Sequence, residues 1–149
     1  MRIISGTLKG KPIAFVKSAI TRPLKDSVKE NIFNIIAHSS LLDINLNKSN
    51  ILDLYSGVGS FGLECVSRGA DKVIFVEKNK IAAEILNTNL LTLSIKDKAK
   101  VMNEKIIDFL NRKQLKKFNV FFLDPPFADN SFLDQLKLIK QKKIYKNNH

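Results

Sequence analysis

The 149-residue chain contains a single cysteine, Cys65, and only two histidines. One cysteine excludes an internal disulfide framework and a zinc site built on several cysteines, and it fits a reducing compartment. The sequence also lacks any apolar run near the roughly 18 residues that a membrane span needs. The opening from Met1 to Ile4 is soon followed by Gly6 and Lys9, so we predict no signal peptide. We therefore expect a cytoplasmic protein that does not reside in a membrane.

Glycine and proline are also scarce, at six and four residues. Hydrophobic residues make up 44% of the chain, which is enough for a packed core and excludes a disordered protein. The length favours one domain. We expect that domain to span residues 1–149, with an N-terminal extension at 1–45, a core at 46–140 and a basic tail at 141–149.

Acidic residues are few compared with basic ones. Fourteen aspartates and glutamates stand against 25 lysines and arginines, so the formal net charge is +11. This excess suits a polyanionic partner, because lysines and arginines that contact phosphates release condensed counterions. The charge therefore favours a nucleic acid as partner. The alternative is a lysine-rich solvated surface that binds no such partner.

From residue 50 onward, four short apolar runs predict β-strands, and a helical pattern follows each run. The runs are NILDLY, KVIFVE, AKVMN and NVFFLD. Because strands alternate with helices and are apolar nearly throughout, we predict an α/β fold with a doubly wound, mostly parallel sheet. Before this unit, residues 2–15 alternate weakly around glycines and predict either a small hairpin or an extended arm. The segment after Pro23 predicts a helix.

The loop after the first strand holds Gly57, Gly59 and Gly62 in a G-x-G-x-x-G pattern. Glycines let the chain turn sharply and let a ligand approach the backbone, while the helix N-terminus favours negative charge. Because the loop follows a strand and opens a helix, we predict a nucleotide-type ligand here. The alternative is a tight turn that binds nothing.

Two acidic residues near this loop bear on the identity of the ligand. Glu77 ends the second strand 20 residues after Gly57, where it could hold ribose hydroxyls. Dinucleotide sites and S-adenosylmethionine sites both use an acid there, so Glu77 does not separate them. Asp53, on the first strand, could hold an amino-acid ammonium, whereas its charge would repel a pyrophosphate. The alternative role of Asp53 is to cap the amides of the loop.

The fourth strand ends in Asp124, followed by Pro125, Pro126 and Phe127. Ligands of open α/β sheets bind at this carboxyl edge. The prolines stop the strand and leave the Pro125 carbonyl free to accept a hydrogen bond. An Asp124 oxygen and this carbonyl can together accept from one exocyclic NH₂ group and orient its nitrogen toward a methyl sulfonium. Phe127 offers a face on which an unstacked base can lie. The alternative is a proline-stopped strand with a buried phenylalanine.

Three segments together resemble the RsmD-like family of 16S rRNA guanine-N2 methyltransferases. They are DLYSGVGSFGLE, RGADKVIFVEKN and FFLDPPF. The opening MRIISGTLKGKPI and the later TRPLKDSVKENIFNII resemble the N-terminal signature of that family. The resemblance implies an RNA-binding methyltransferase with a Rossmann-like fold and S-adenosylmethionine as methyl donor. It implies that the acceptor is a guanine amine of 16S rRNA in the small ribosomal subunit or its assembly intermediate. We expect a monomer without a metal ion.

The resemblance also assigns roles to individual residues. The residues implied for the methionine side of the cofactor are Asp53, Tyr55, Gly57 and Gly59. Glu77 is implied to hold the ribose, with Lys78 and Asn79 near the adenine. The catalytic residues implied to hold the target base are Asp124, Pro125, Pro126 and Phe127. Arg22 and Pro23 are implied to lie near the mouth of the acceptor site.

The chain departs from the family pattern in three places. Leu24 stands where a threonine usually follows the Arg-Pro pair. Lys105 aligns with the acid that lies near the adenine amine, and a shift of one residue would let Glu104 bind the cofactor instead. Only 22 residues follow Phe127, and the lysine-rich end lacks the apolar alternation of a strand. We therefore expect a C-terminally shortened member that lacks the usual last strands and exposes an edge of the sheet.

Three other functions compete with this reading. The first is an amino-directed DNA or tRNA methyltransferase, from which the N-terminal signature separates the chain. The second is a catalytically inactive RNA-binding remnant of the family, which Lys105 and the short C-terminus favour. The third is a dinucleotide-binding oxidoreductase, whose chemistry has no use for an Asp-Pro-Pro-Phe loop.

Overall fold

A computed structural model of the protein describes residues 1–17 and 24–146. Two predicted substrate-binding residues, Arg22 and Pro23, lie outside the described residues. In the described part, the strands are β1 (Asn50–Leu54), β2 (Lys72–Val76), β3 (Ala99–Met102) and β4 (Val120–Leu123). The helices are α1 (Asp26–His38), α2 (Ser60–Ser67), α3 (Lys80–Thr92), α4 (Ile106–Leu110) and α5 (Phe132–Lys142). A 3₁₀ turn (Lys96–Lys98) precedes β3.

The four strands form one parallel sheet in the order β3-β2-β1-β4. The chain moves outward from β1 to β3 and then crosses back, so that β4 lies on the other side of β1. This reversal makes the space between β1 and β4 the switch point, where open α/β sheets bind ligands. The predicted doubly wound parallel sheet is confirmed.

Apolar side chains cover both faces of the sheet, as a doubly wound fold requires. The N-terminal residues and helices α1, α2 and α3 pack on one face, and α4 and α5 pack on the other. On the first face the Phe61 ring of α2 stacks between two other rings. Its centroid lies 5.1 Å from that of Phe33 and 3.8 Å from that of Phe122. This stack joins α2, which follows the glycine loop, to β4, which Asp124 directly follows.

The first 13 residues form a small hairpin, which is one of the two alternatives that the sequence predicts. Arg2 and Pro12 form an antiparallel bridge, and the Ile13 N–H donates to the Met1 carbonyl at 3.0 Å. The hairpin lies against α2, where the Thr7 N–H donates to a carbonyl of the helix at 2.8 Å. The N-terminal segment is therefore part of the same packed unit as the sheet.

A buried carboxylate on α2 holds this hairpin in place. Glu64 has no exposed surface. Its two oxygens accept from the backbone N–H groups of Ile4 and Ser5 at 2.8 and 2.9 Å. The guanidinium of Arg68, one turn along the helix, donates to the same carboxylate at 2.9 Å. The Glu64 carboxylate is thus paired both with backbone N–H groups of the hairpin and with the Arg68 guanidinium.

A buried ammonium joins α1 to the same carboxylate. Lys29 is fully buried, and its Nζ lies 3.5 Å from a Glu64 oxygen and donates to the Arg2 carbonyl at 2.6 Å. Burial lowers the pKa of Lys29, and the neighbouring carboxylate opposes that shift. Because a buried charge is tolerated only when it is paired, α1 and the hairpin depend on Glu64 for their position.

The segment after α5 lies beside the start of β4. Phe118 donates its N–H to the Ile144 carbonyl at 2.8 Å and accepts from the Lys146 N–H at 2.8 Å, forming a parallel bridge with Tyr145. The lysine-rich end gave no strand signal in the sequence, so this pairing was not expected. It stops before β4 begins, and within the described residues the outer edge of Val120–Leu123 has no strand partner.

Among residues 1–17 and 24–146, no helix has the length and apolar character needed to cross a bilayer. Within the same residues, no group of three or more histidine, cysteine, aspartate or glutamate side chains is arranged to hold a metal ion.

The buried cluster leads to a stability prediction. We expect Glu64→Ala to lower the free energy of unfolding by about 3–5 kcal/mol, because it leaves the Lys29 ammonium unpaired in the interior. Urea denaturation at neutral pH measures this loss. The matched control is Glu84→Ala, which removes an exposed partner 4.0 Å from Lys80 on α3 and is expected to lose less than about 1 kcal/mol. Equal losses in the two variants would contradict a structural role for the buried cluster.

Candidate active site

The register of the sheet brings polar residues into one row at its carboxyl edge. Leu54, the last residue of β1, pairs with the last residues of β2 and β4. The residues that follow these three strands are Tyr55, Glu77 and Asp124. The last residue of β3 pairs with that of β2, which adds Asn103 to the row. Parallel pairing thus collects at one edge residues that are up to 69 positions apart in the sequence.

Asp53 lies on β1 just below this row and is almost fully buried. One of its oxygens accepts from the Gly62 N–H at 3.0 Å. Removal from water raises the pKa of Asp53 to about 8; the Gly62 N–H opposes the shift, and Asp124 and Glu77 add to it. In the free protein at neutral pH the carboxyl group is therefore mostly protonated. A bound cation would favour the charged form instead.

Glu77 holds the glycine loop and the turn that leads into α3. Its two oxygens accept from the Gly57 N–H at 2.8 Å and from the Asn79 N–H at 2.7 Å. Asn79 in turn caps α3 by accepting from the Ala82 N–H at 3.0 Å. Asn103, which the sequence analysis missed, donates to the Glu77 carbonyl at 2.7 Å. The carboxylate of Glu77 thus faces the loop that the sequence predicts to bind the ligand.

The two predicted glycines of the loop have different surroundings. Gly57 has a φ of +55°, and a Cβ added there would meet no atom within 4 Å. Gly59 has a φ of +90°, and an added Cβ would lie 2.3 Å from the Leu86 side chain. Gly57 therefore presents bare backbone to open space, whereas Gly59 lets α3 pack closely against the loop.

Two cavities open at this edge of the sheet. The larger is a cleft of about 1110 Å³, and the smaller has a volume of about 60 Å³. The predicted cofactor residues on the wall of the cleft are Tyr55, Gly57, Glu77, Lys78 and Asn79. Asp53 lines the smaller cavity. Because Tyr55, Gly57 and Asp124 line both cavities, the two meet at these residues.

The smaller cavity lies between the N-terminal segment and the glycine loop. Phe15, Val16 and Leu24 form its N-terminal wall. On the opposite wall, the hydroxyl groups of Ser56 and Ser60 are buried and have no hydrogen-bond partner among the described residues. Buried polar atoms without a partner are rare in proteins and point to a ligand that completes them.

The Asp-Pro-Pro-Phe segment forms the rim of the cleft. The Asp124 side chain is exposed at the mouth, yet partial loss of water raises its pKa above the ordinary value. Pro126 starts a tight turn, because its carbonyl accepts from the Asp129 N–H at 2.8 Å. Phe127 is fully exposed and not buried in the core. The segment therefore presents a carboxyl group and an aromatic face to the cleft and to solvent.

A group of hydrogen bonds that the sequence analysis missed connects β1 to this segment. The Tyr55 hydroxyl accepts from Gln135 Nε2 at 2.6 Å and donates to Asp129 at 3.1 Å. Ser131 donates to Asp129 through its hydroxyl and its N–H, and these bonds lower the pKa of Asp129. Tyr55 itself has a φ of +59°, which is unusual for a residue with a side chain. The phenol therefore braces the loop after β4 as well as lining the cleft.

The side chains of Glu104 and Lys105 lie in different environments. The Glu104 carboxylate accepts from the Arg112 guanidinium at 2.6 Å and is not on the wall of the cleft. Lys105 is on that wall, beside Ile106 and Ile107. The structure thus brings a cation to the place where the family resemblance implies an acid, and it leaves Glu104 paired elsewhere.

Comparison with known proteins confirms the class that this fold and site define, a methyltransferase with a Rossmann-like fold. The Ribosomal RNA small subunit methyltransferase D of Haemophilus influenzae is 37% identical over 150 residues, covering 99% of this chain and 75% of that protein. The Escherichia coli protein of the same name is 31% identical, covering 94% and 67%. A solved structure of the Escherichia coli protein yhhF has a TM-score of 0.79 at 29% identity, covering 94% and 71%.

A family profile described as Conserved hypothetical protein 95 matches residues 1–149. The chain therefore belongs to this family, which is that of the RsmD-like methyltransferases. The resemblance predicted from the motifs is confirmed over the whole chain. The roles of single residues remain predictions.

The raised pKa of Asp53 leads to a prediction about stability and pH. The folded protein keeps this proton up to about pH 8, whereas an ordinary aspartate loses it near 3.8. Stability therefore falls as pH rises between these values, because the folded state binds the additional proton. Each pH unit in this interval costs the wild type about 1.4 kcal/mol, and 1 kcal/mol shifts Tm by roughly 2–4 °C. Between pH 5 and pH 8 we therefore expect the Tm of cofactor-free Asp53→Asn to rise by about 10 °C relative to the Tm of the wild type.

Thermal melts of both proteins across this pH range measure the effect. The difference between the two melting temperatures isolates Asp53, because the other titrating groups are common to both proteins. A difference that does not change with pH would mean that the carboxyl group is already ionised at pH 5.

Proposed function

We propose that the protein transfers a methyl group from S-adenosylmethionine to the exocyclic N2 amine of a guanine in 16S rRNA. The acceptor would be the small ribosomal subunit or its assembly intermediate. The observation that carries the proposal is the position of Asp124, which lines both cavities where they meet. Methyl transfer needs such a meeting point, because donor and acceptor atoms must approach to about 3 Å.

The smaller cavity fits the amino-acid end of the donor. Asp53 would accept from the ammonium group and become charged as it does so. Ser56 and Ser60 have hydroxyl groups that lack partners among the described residues, and they would bind the carboxylate. Ser60 also opens α2, whose N-terminal end favours negative charge. The smaller cavity therefore offers an acceptor for an ammonium group and hydroxyl donors for a carboxylate, which matches a zwitterionic amino acid.

The larger cleft fits the adenosine end. Glu77 would accept from the ribose hydroxyl groups, and Lys78 and Asn79 would lie near the adenine. Ile106 and Ile107 add apolar surface to the same wall. When bound, S-adenosylmethionine supplies a methyl group on a positively charged sulfur. Within the described residues Asp53, Glu77 and Asp124 form no ion pair, so this edge of the sheet suits a cationic ligand.

Asp124 and the Pro125 carbonyl would position the acceptor amine. Each can accept one of the two N–H bonds of the guanine amine, which turns the nitrogen lone pair toward the methyl group. Proximity and orientation of this kind account for a large part of the rate in such reactions. The amine needs no strong base, because its proton becomes acidic only once the new N–C bond has formed. The raised pKa of Asp124 helps it to take that proton.

The RNA would contact Phe127 and the basic surface. Phe127 is fully exposed beside Asp124, where an extruded base could stack on its ring. The formal net charge of +11 would strengthen contact with phosphates. Arg22 and Pro23 stay proposed contacts at the acceptor mouth, because the adjoining Leu24 lines the smaller cavity, and this cavity meets the cleft at Asp124. Glu104 stays a proposed cofactor contact, for which it would have to leave Arg112.

The curated relatives are named for the small-subunit RNA, which supports rRNA over DNA or tRNA as acceptor. An rRNA acceptor also makes the cytoplasm the expected compartment. We propose that residues 1–45, 46–140 and 141–149 act as one domain and as a monomer. A second candidate function, an inactive RNA-binding remnant, is favoured by Lys105 on the cleft wall.

The decisive experiment measures transfer of labelled methyl from S-adenosylmethionine to undermethylated small subunits. We expect wild-type protein to label 16S rRNA, with N2-methylguanosine as the product after digestion. Asp124→Ala should lose at least about 100-fold in rate, while its affinity for S-adenosylhomocysteine changes less than twofold. Asp53→Ala should show the opposite pattern and lose affinity first.

The matched control is Asp71→Ala, which removes an exposed aspartate that lies before β2, at the opposite edge of the sheet. It should leave both quantities unchanged. Folded wild-type protein that binds S-adenosylhomocysteine but labels no rRNA would favour the inactive remnant. Labelling of tRNA or DNA in place of 16S rRNA would move the acceptor to another nucleic acid.

A further inference from the structure

Asn89 is a polar residue in the interior of α3, and only 3% of its surface is exposed. Its side-chain amide pairs with the backbone of Ala14 in the N-terminal segment. The Ala14 N–H donates to Asn89 Oδ1 at 2.8 Å, and Asn89 Nδ2 donates to the Ala14 carbonyl at 3.0 Å. The side-chain amide of Asn89 therefore makes both of the hydrogen bonds with the Ala14 backbone that a neighbouring β-strand could make.

The same side chain also binds the glycine loop. Asn89 Nδ2 donates to the Val58 carbonyl at 3.1 Å, between Gly57 and Gly59. Both Nδ2 protons and the Oδ1 atom are thus used. Only one orientation of the amide satisfies all three partners, because two of them are carbonyls and the third is an N–H.

These partners belong to opposite walls of the smaller cavity. Ala14 is followed by Phe15 and Val16, which form the N-terminal wall, and Val58 lies on the wall made by the glycine loop. We propose that Asn89 is a positioning residue that joins these two walls and thereby shapes the cavity for the amino-acid end of the methyl donor. The inference rests on the proposed function, and it adds a residue outside both the glycine loop and the Asp-Pro-Pro-Phe segment.

The choice of residue supports this role. Asparagine is a poorer helix former than leucine, and burial of an amide is tolerated only when its hydrogen bonds are made. A leucine at this position would favour the helix and add apolar contact to the core. It would leave the Ala14 N–H and two carbonyls unpaired, so the walls would no longer be tied to each other.

The test compares two ligands in Asn89→Leu. S-Adenosylhomocysteine carries the amino-acid end, whereas 5′-methylthioadenosine lacks it and occupies the adenosine cleft alone. We expect Asn89→Leu to weaken binding of S-adenosylhomocysteine about tenfold, measured by calorimetry. Binding of 5′-methylthioadenosine should change less than twofold. Unchanged binding of the second ligand also shows that the variant is folded.

The matched control is Asn87→Leu, which lies on the same helix. The Asn87 side chain is exposed and donates to a carbonyl of its own helix, that of Ala83, at 3.0 Å. This control should bind both ligands as the wild type does. If Asn89→Leu weakens both ligands equally, or neither, the positioning role is overturned. If the wild type binds neither ligand, the proposed cofactor itself is wrong.

A measurement on the wild type keeps the inference testable if Asn89→Leu does not fold. Hydrogen exchange of the amides from Ala14 to Val16 reports how firmly the N-terminal wall is held. We expect S-adenosylhomocysteine to slow this exchange by at least about tenfold more than 5′-methylthioadenosine does. Equal protection by the two ligands would mean that the amino-acid end does not engage this wall, and the inference would fail.

Discussion

The Glu64 carboxylate, buried without exposed surface, is the constraint on which the arrangement of the N-terminal half depends. It pairs with Lys29 and Arg68 and accepts two backbone N–H groups of the hairpin. Because an unpaired charge in the interior is strongly unfavourable, loss of one of these charged groups destabilises the arrangement of the others. The helix that carries Glu64 begins at the glycine loop. The hairpin, and through it the N-terminal wall of the smaller cavity, is therefore positioned relative to the site by a contact away from it.

The parallel register is the second constraint, and it concentrates negative charge. Asp53, Glu77 and Asp124 come from three adjacent strands and reach the same edge of the sheet. The burial of Asp53, and to a lesser extent the nearby charges of Asp124 and Glu77, keep the Asp53 carboxyl group protonated in the free protein. Such a site is stabilised by a ligand that brings positive charge, which agrees with the sulfonium and ammonium groups of the proposed methyl donor. The same charge distribution disfavours a pyrophosphate and therefore a dinucleotide.

Most elements of the fold follow from local patterns. Each apolar run between residues 50 and 123 became a strand, because continuous apolar sequence suits strands covered on both faces. Glu77 and Asp124, which the sequence predicts at the ends of two of these strands, both line the cleft. They lie at the same edge because parallel strands place their carboxyl ends together. Gly59 is different: its pattern indicates ligand contact, but its surroundings show packing against Leu86. The family pattern aligns Lys105 with the acid near the adenine, and a shift of one residue would bring Glu104 there, yet the Glu104 carboxylate pairs with Arg112.

By itself, the sequence determined the fold class, the family, the glycine loop and the Asp-Pro-Pro-Phe segment. Each of these follows from residues that are close together in the sequence, whose local conformation has a known physical cause. Only the tertiary structure decided which distant side chains complete the site. Asn89 contacts Ala14 from 75 positions away, and Tyr55 contacts Gln135 from 80 positions away. The sequence around an asparagine or a glutamate does not show whether its side chain is buried. Its partners depend on how the helices pack on the sheet, and local sequence patterns do not predict that packing.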